Sequence, residues 1–110
     1  MQLEVKQTGE IRVLIFEGNL DTNTSPEAES TINGLIEDGA QQILVNFEKL
    51  NFISSAGLRV LLSTAKKLKG TGGVLKICGL NPTVQEVFDI SGFGSILSVA
   101  KSEADALSAF

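Results

Sequence analysis

The first twenty residues carry two runs of apolar side chains separated by a turn. Residues 2–6 alternate polar and apolar side chains, which predicts a half-buried strand at the edge of a sheet. Gly9-Glu10 marks a turn, and residues 11–16 are rich in branched apolar side chains, which is typical of a more completely buried strand. Gly18-Asn19 is expected to end this second strand. The pattern therefore predicts an antiparallel hairpin.

A helix is predicted next, with signals at both of its ends. Thr24 is expected to cap it, Pro26 suits its first turn, and Glu27 completes the pattern of a capping box. Gly39 supplies the stop. Four apolar residues at helical spacing form a stripe that faces the core: Ala28, Ile32, Leu35 and Ile36.

Strands and helices then alternate to the end of the chain. The predicted elements are a strand at 43–45, a connection at 46–52, a helix from the serines at 54–55 to Gly70, a strand at 74–78, a helix opened by Asn81-Pro82, a strand at 96–99, and a helix capped by Ser102 that reaches Phe110. The resulting order is β-β-α-β-α-β-α-β-α.

This order predicts the fold class. Strands that alternate with helices need crossover connections, so they pair in parallel, and only the N-terminal hairpin is antiparallel. We predict an α/β fold with a mixed, mostly parallel β-sheet, an antiparallel N-terminal strand and about four α-helices packed on it. The length of 110 residues, 43% of them hydrophobic, fits one domain over residues 1–110.

The net charge and the residue composition exclude some classes of function. A net charge of −4 argues against nucleic acid as a partner, because phosphate binding requires clustered positive charge. No apolar run approaches the roughly 20 residues that span a bilayer, and the N-terminus lacks the features of a signal peptide. We therefore expect no membrane insertion and a cytoplasmic location. Cys78 is the single cysteine and is expected to be a small buried core residue.

The chain contains no histidine. A Ser-His-Asp or Cys-His nucleophilic site therefore cannot be built, and the commonest metal ligand is missing. A nucleophile elbow would need glycine two positions before its serine, and Ile53 stands there relative to Ser55. We expect a binding protein rather than an enzyme, with no cofactor and no bound metal.

Two adjacent hydroxyls, Ser54 and Ser55, stand where the chain turns into an amphipathic helix. The ordinary interpretation is an N-cap, because serine is a preferred cap residue. The alternative is a phosphorylation site, since a helix start favours negative charge and a phosphate adds about −1.5 to −2 charge there. Local sequence alone favours the cap and leaves the second interpretation open.

Asp21 and Arg59 are the charged residues expected near this turn. Asp21 follows a strand end, and functional groups gather at the carboxyl ends of parallel strands, although an ordinary loop carboxylate would show the same pattern. Arg59 stands in the first turn of the helix, where a cation is slightly unfavourable to the helix dipole. Arg59 is therefore a candidate for partner contact, and the alternative is a solvated helix face.

The segment Phe-Ile-Ser-Ser-Ala-Gly-Leu-Arg-Val-Leu-Leu at 52–62, with the element order and the length, resembles the STAS domain of bacterial anti-sigma factor antagonists. Gly18-Asn19-Leu20-Asp21 is similar to the family's Gly-x-Leu-Asp before its first helix, and residues 84–93 resemble its late helix and following turn. The resemblance covers nearly the whole chain and implies a STAS-like fold.

The resemblance also implies a phosphorylation switch. In the family, the unmodified protein binds an anti-sigma factor that is also a serine kinase, and this binding frees a sigma factor. The kinase uses its own ATP to phosphorylate a serine, which ends the binding, and a PP2C-type serine phosphatase resets the protein. By motif matching the acceptor is Ser55, with Ser54 as the alternative, and Asp21 matches a family carboxylate close to the acceptor. The expected partner-binding residues are Asp21, Asn23, Ser54, Ala56, Gly57 and Arg59.

The chain departs from the family pattern at two positions. The family often has Asp immediately before the acceptor, where this chain has Ser54, and many members have Asp at the end of the preceding strand, where this chain has Asn46. The site then carries fewer negative charges. This departure from the family pattern has three explanations: a different kinase acts on the site, Ser54 competes as acceptor, or phosphorylation has been lost. We favour the first. A STAS scaffold or accessory subunit of a transport or lipid-trafficking assembly, without a switch, is the alternative function.

Overall fold

The computed structural model describes residues 1–93 and 97–110, and its elements follow the predicted order. The strands are β1 (Gln2–Thr8), β2 (Ile11–Leu20), β3 (Gln42–Ile53), β4 (Val74–Cys78) and β5 (Ser98–Ala100). The helices are α1 (Ser25–Glu37), α2 (Ser55–Gly70), α3 (Pro82–Ser91) and α4 (Glu103–Ser108).

The strands form one five-stranded sheet in the order β1-β2-β3-β4-β5. β1 pairs antiparallel with β2, whereas β2 with β3, β3 with β4, and β4 with β5 pair in parallel. The predicted mixed sheet with an antiparallel N-terminal strand is confirmed. Because β2 and β3 are parallel neighbours, their carboxyl ends meet at the same edge of the sheet.

The two faces of the sheet carry different cores. Helices α1, α2 and α3 pack on the larger core, which contains the edge-to-face ring pair of Phe16 and Phe47 with centroids 5.3 Å apart. Helix α4 packs on the smaller core, which contains Cys78. Cys78 is buried, as predicted, and burial, with the neighbouring charges of Glu48 and Glu103, raises the pKa of its thiol to about 12.

β2 and β3 run farther than the sequence predicts. β3 covers Gln42–Ile53 rather than 43–45, and β2 continues through Gly18-Asn19 to Leu20. Two register shifts interrupt the pairing of β2 with β3, and the buried residues in the second half of β3 recur at every third position instead of alternating. The predicted connection at 46–52 is therefore wrong, because the irregular register hides the strand period.

The predicted capping box of α1 is also wrong. The Thr24 hydroxyl makes no cap bond; it accepts from the backbone N–H of Asp21 at 2.8 Å and donates to the carbonyl of Asn19 at 2.9 Å. Loop closure therefore occupies the group that was expected to cap the helix. Pro26 in the first turn and Gly39, with φ of 94° after the helix end, match the prediction.

The C-terminal third confirms two predicted caps and shortens one predicted helix. Asn81 and Ser102 each accept a backbone N–H from the first turn of α3 and α4, respectively. Helix α4 ends at Ser108 rather than Phe110, and residue 96 of the strand predicted at 96–99 lies outside the described residues. Within residues 1–93 and 97–110, no helix is both long enough and apolar enough to cross a bilayer.

Candidate functional site at the ends of the second and third strands

The serine turn and the Asp21 loop leave the sheet side by side. Leu20, the last residue of β2, pairs with Ile53, the last residue of β3, and the backbone N–H of Ser54 donates to the Leu20 carbonyl at 2.9 Å. Asp21 and Ser55 therefore each lie within two residues of this paired end. The sequence predicted that both lie at this edge, and the structure places them there.

The two serines have different roles. Ser54 is the N-cap of α2, with an extended backbone, and its Oγ accepts from the N–H of Gly57 at a long 3.5 Å. Ser55 is the first residue of the helix and is exposed, and its hydroxyl forms no hydrogen bond with any residue that the structure describes. The capping and phosphorylation interpretations are thus compatible, because separate residues supply the cap and the accessible hydroxyl.

Gly57 is buried, and its missing side chain lets α2 approach the sheet. A Cβ at this position would lie 2.8 Å from Cγ1 of Ile53, 2.9 Å from Cγ of Leu20 and 3.0 Å from the Leu20 carbonyl oxygen. The serine turn is therefore held against the strand ends by close backbone packing. The packing against Ile53 and Leu20 thus gives Gly57 a structural reason for its place in the motif, and its contact with a partner stays a prediction.

Asp21 organises the loop before α1. Its Oδ1 accepts from the backbone N–H of Asn23 at 2.9 Å and from that of Thr24 at 3.1 Å. Asp21 is half-buried, whereas the Asn23 side chain is exposed. This carboxylate therefore fixes the loop that lies next to the serine turn and places Asn23 on the surface.

Ala56 and Arg59 lie on the surface side of α2. Together they help to line a shallow groove between α1 and α2, which also includes Thr22, Pro26 and Ser63. Ala56 is half-buried and Arg59 is exposed. Within residues 1–93 and 97–110, Arg59 takes part in no ion pair. The groove is open and shallow, which suits contact with another protein surface better than enclosure of a small molecule.

Asn46 does not belong to this site. It lies within β3, seven residues before the strand ends at Ile53, where it is buried and pairs with Cys78. Its Nδ2 donates to Oε1 of Glu103 in α4 at 3.1 Å, and its Oδ1 accepts from the N–H of Glu48 at 2.8 Å. The expectation that Asn46 ends the strand and changes the charge near the serines is wrong, because β3 is longer than predicted.

Phe52 is a surface residue of this edge to which the sequence assigned no role. It lies near the end of β3, two residues before Ser54, and its side chain is 43% exposed. The only signal was its position beside the polar residue Asn51, but an apolar residue next to a predicted helix is assigned to the core by default. An exposed aromatic residue three positions before the accessible hydroxyl adds an apolar element to the candidate interface.

The family model of the STAS domain matches residues 2–106. A match over nearly the whole chain, with the sheet order and helix placement described above, shows that this chain belongs to the STAS domain family.

Its relatives are named as anti-sigma factor antagonists. BtrV of Bordetella bronchiseptica, named as a candidate anti-sigma factor antagonist, is 36% identical over 110 residues, which cover 100% of this chain and 95% of BtrV. The anti-sigma F factor antagonist of Paenibacillus polymyxa is 28% identical over 108 residues, which cover 97% of this chain and 92% of that protein. The chain thus lies among the STAS proteins that carry this name.

Solved structures of the anti-sigma factor antagonist SpoIIAA share the fold. Its unphosphorylated form matches with a TM-score of 0.78 at 26% identity, covering 97% of this chain and 96% of SpoIIAA. The phosphorylated form from Bacillus matches with a TM-score of 0.76 at 28% identity, covering 97% of both chains. SpoIIAA therefore keeps this fold in both states.

Proposed function

We propose that this chain is an anti-sigma factor antagonist that is switched by phosphorylation of Ser55. The unphosphorylated form binds an anti-sigma factor that is also a serine kinase, and this binding releases a sigma factor. The kinase binds ATP. The γ-phosphoryl group of ATP is transferred to the Ser55 oxygen as the hydroxyl proton leaves, and ADP is released. A PP2C-type serine phosphatase removes the phosphate and restores binding.

The observation that carries this proposal is the exposed Ser55 hydroxyl at the first position of α2. It has no partner among the described residues, so a kinase can reach it without breaking a bond of the fold. Ser54 is half-buried and caps the helix, which makes it the poorer acceptor. The names of the relatives support the antagonist function, and the two forms of SpoIIAA support a switch by phosphorylation.

Simple electrostatics explains why the phosphate ends binding. A neutral hydroxyl enters a protein interface at little cost, whereas a phosphate carries about −1.5 to −2 charge. An uncompensated charge that is buried on association costs about 3–5 kcal/mol. Because each 1.4 kcal/mol is about tenfold in affinity, this cost weakens binding by more than about a hundredfold.

The surface that docks the anti-sigma factor is formed around this hydroxyl. It comprises the accessible side chains of the Asp21 loop and of the first turns of α2, with Phe52 as the exposed aromatic residue beside them. The chain acts by binding in the cytoplasm, and it needs no cofactor of its own because the kinase holds the nucleotide.

Phosphate mapping tests the acceptor. The parent, Ser55→Ala and Ser54→Ala are incubated with a candidate anti-sigma factor kinase and ATP, and the modified residue is located by mass spectrometry. The parent and Ser54→Ala should each gain one phosphate on residue 55, and Ser55→Ala should gain none. A phosphate on Ser54 of the parent, or one that persists in Ser55→Ala, would assign the acceptor elsewhere.

Binding of the variants tests the switch. Ser55→Ala should bind the anti-sigma factor constitutively, because it keeps an uncharged side chain, whereas Ser55→Asp should fail to capture it. Equal capture of both variants contradicts the switch. A chain that gains no phosphate beside an active kinase and is recovered with a transporter subunit would instead be an accessory STAS domain.

A further inference from the structure

Arg59 is a positive charge near the N-terminus of α2, where the helix dipole favours negative charge. It is exposed, it lies in the N-terminal half of α2, and it forms no ion pair within residues 1–93 and 97–110. The first turn of α2 contains no acidic residue that would balance it. A cation near a helix N-terminus gains nothing from the helix dipole, and no ion pair within the described residues balances this one.

The spacing between Arg59 and Ser55 aligns the two side chains. They are separated by four residues in one regular helix, and both are exposed. Residues at this spacing are neighbours on a helix surface, with Cβ atoms about 5–6 Å apart. Side chains on a helix lean toward its N-terminus, so the long Arg59 side chain extends back over the turn that contains Ser55.

The chemistry of the two groups is complementary only after modification. A serine hydroxyl offers a guanidinium one weak acceptor, whereas a phosphate offers several charged oxygens that match its planar fork. Glu29 in α1 lines the same groove as Arg59 and Asp21 lies in the loop before α1, and neither forms an ion pair with Arg59. Among the described residues, the Arg59 guanidinium therefore has no ion-pair partner until Ser55 carries a phosphate.

We infer that Arg59 pairs with the phosphate on Ser55 within α2. This inference rests on the proposed function for the presence of that phosphate. The pairing holds the modified side chain along the helix and withdraws a cation from the docking surface. Phosphorylation then changes that surface twice, because it adds negative charge at residue 55 and neutralises the positive charge at residue 59.

Phosphorus NMR titration of phosphoserine tests the pairing directly. Phosphoserine is introduced at position 55 during synthesis, so no kinase is needed, in the parent, Arg59→Gln and Lys66→Gln backgrounds. Lys66 is an exposed lysine of the same helix, eleven positions after Ser55, so the two variants lose the same charge. Circular dichroism of each unphosphorylated chain checks that it folds.

Pairing favours the doubly charged phosphate. The second acid-dissociation constant of the phosphoserine should therefore be about twofold larger in the parent than in Arg59→Gln. Lys66→Gln should titrate like the parent. Salt at about 1 M should remove most of the difference. Identical titration of the parent and Arg59→Gln, equal effects of both variants, or no salt dependence would overturn the pairing.

These results are separable from the proposed function. Capture of the anti-sigma factor by the unphosphorylated parent is measured with the same protein preparations. Failure of that capture contradicts the antagonist function and leaves the titration unchanged, whereas failure of the titration leaves the antagonist function unchanged.

Discussion

Gly57→Ala is the substitution whose effect follows most directly from the packing of the site. The added Cβ would lie 2.8 Å from Cγ1 of Ile53 and within 3.0 Å of two atoms of Leu20. Both neighbours are fully buried, and the Leu20 carbonyl is held by the N–H of Ser54. Because these atoms cannot move aside freely, α2 must shift away from the ends of β2 and β3.

The magnitude follows from two opposing effects. Overpacking a well-packed site costs about 1–3 kcal/mol, and the gain from replacing glycine by alanine in a helix offsets about 0.5–1 kcal/mol of it. At the centre of these ranges the net loss is about 1 kcal/mol, which lowers Tm by roughly 5 °C. Gly34→Ala is the matched control, since a Cβ at this exposed position of α1 meets nothing within 4 Å. It should raise Tm by a few degrees.

Thermal unfolding followed by far-ultraviolet circular dichroism measures both variants, because the chain has no Trp or Tyr for fluorescence. The two substitutions are chemically identical, so opposite signs isolate the contact at Gly57. A Tm for Gly57→Ala at or above that of the parent would refute the packing argument.

Two further predictions concern the other face of the sheet. Since the pKa of Cys78 is raised to about 12, its thiol should resist alkylation at pH 9.0, where an ordinary cysteine is half ionised. Alkylation should become fast once urea unfolds the chain. Equal alkylation rates in the folded and unfolded states would contradict this prediction. Burial raises the pKa of Glu103, but the hydrogen bonds from Lys6 and Asn46 and the charge of Lys6 outweigh burial and lower it. Because the folded chain favours the carboxylate, the stabilisation from Glu103 is present above pH 4.5 and is lost as the pH falls below it. Glu103→Gln should therefore lower the free energy of unfolding at neutral pH by at most about 1 kcal/mol. It should also make that free energy depend less on pH in the acid range. Urea titrations that give parallel pH curves for Glu103→Gln and the parent would contradict it.

The sequence predicted the placement of the site because its signals are local. Gly18 to Asp21 follows the predicted second strand and the serines at 54–55 open the predicted helix after the third, and parallel pairing of β2 and β3 brings these two connections to one edge of the sheet. The amphipathic stripe of α1 likewise predicted which of its residues face the core. These features depend on residue type and spacing within one segment.

The features that the sequence did not predict depend on tertiary structure. Two adjacent serines are identical as residues, and only the extended backbone of Ser54 and the N–H of Gly57 separate the cap from the accessible hydroxyl. Asn46 was placed at a strand end because register shifts in β3 hide the period of the strand. Its partner Glu103 also binds Lys6, 97 residues away in the chain, and no local pattern indicates that contact.

The affinity of an anti-sigma factor for two forms of this chain tests the central claim most directly. The forms differ only by a phosphate on Ser55, and calorimetry measures the Kd of each at the same salt concentration. We expect the unphosphorylated form to bind and the phosphorylated form to bind more than about a hundredfold more weakly. Equal Kd values for the two forms would contradict the switch.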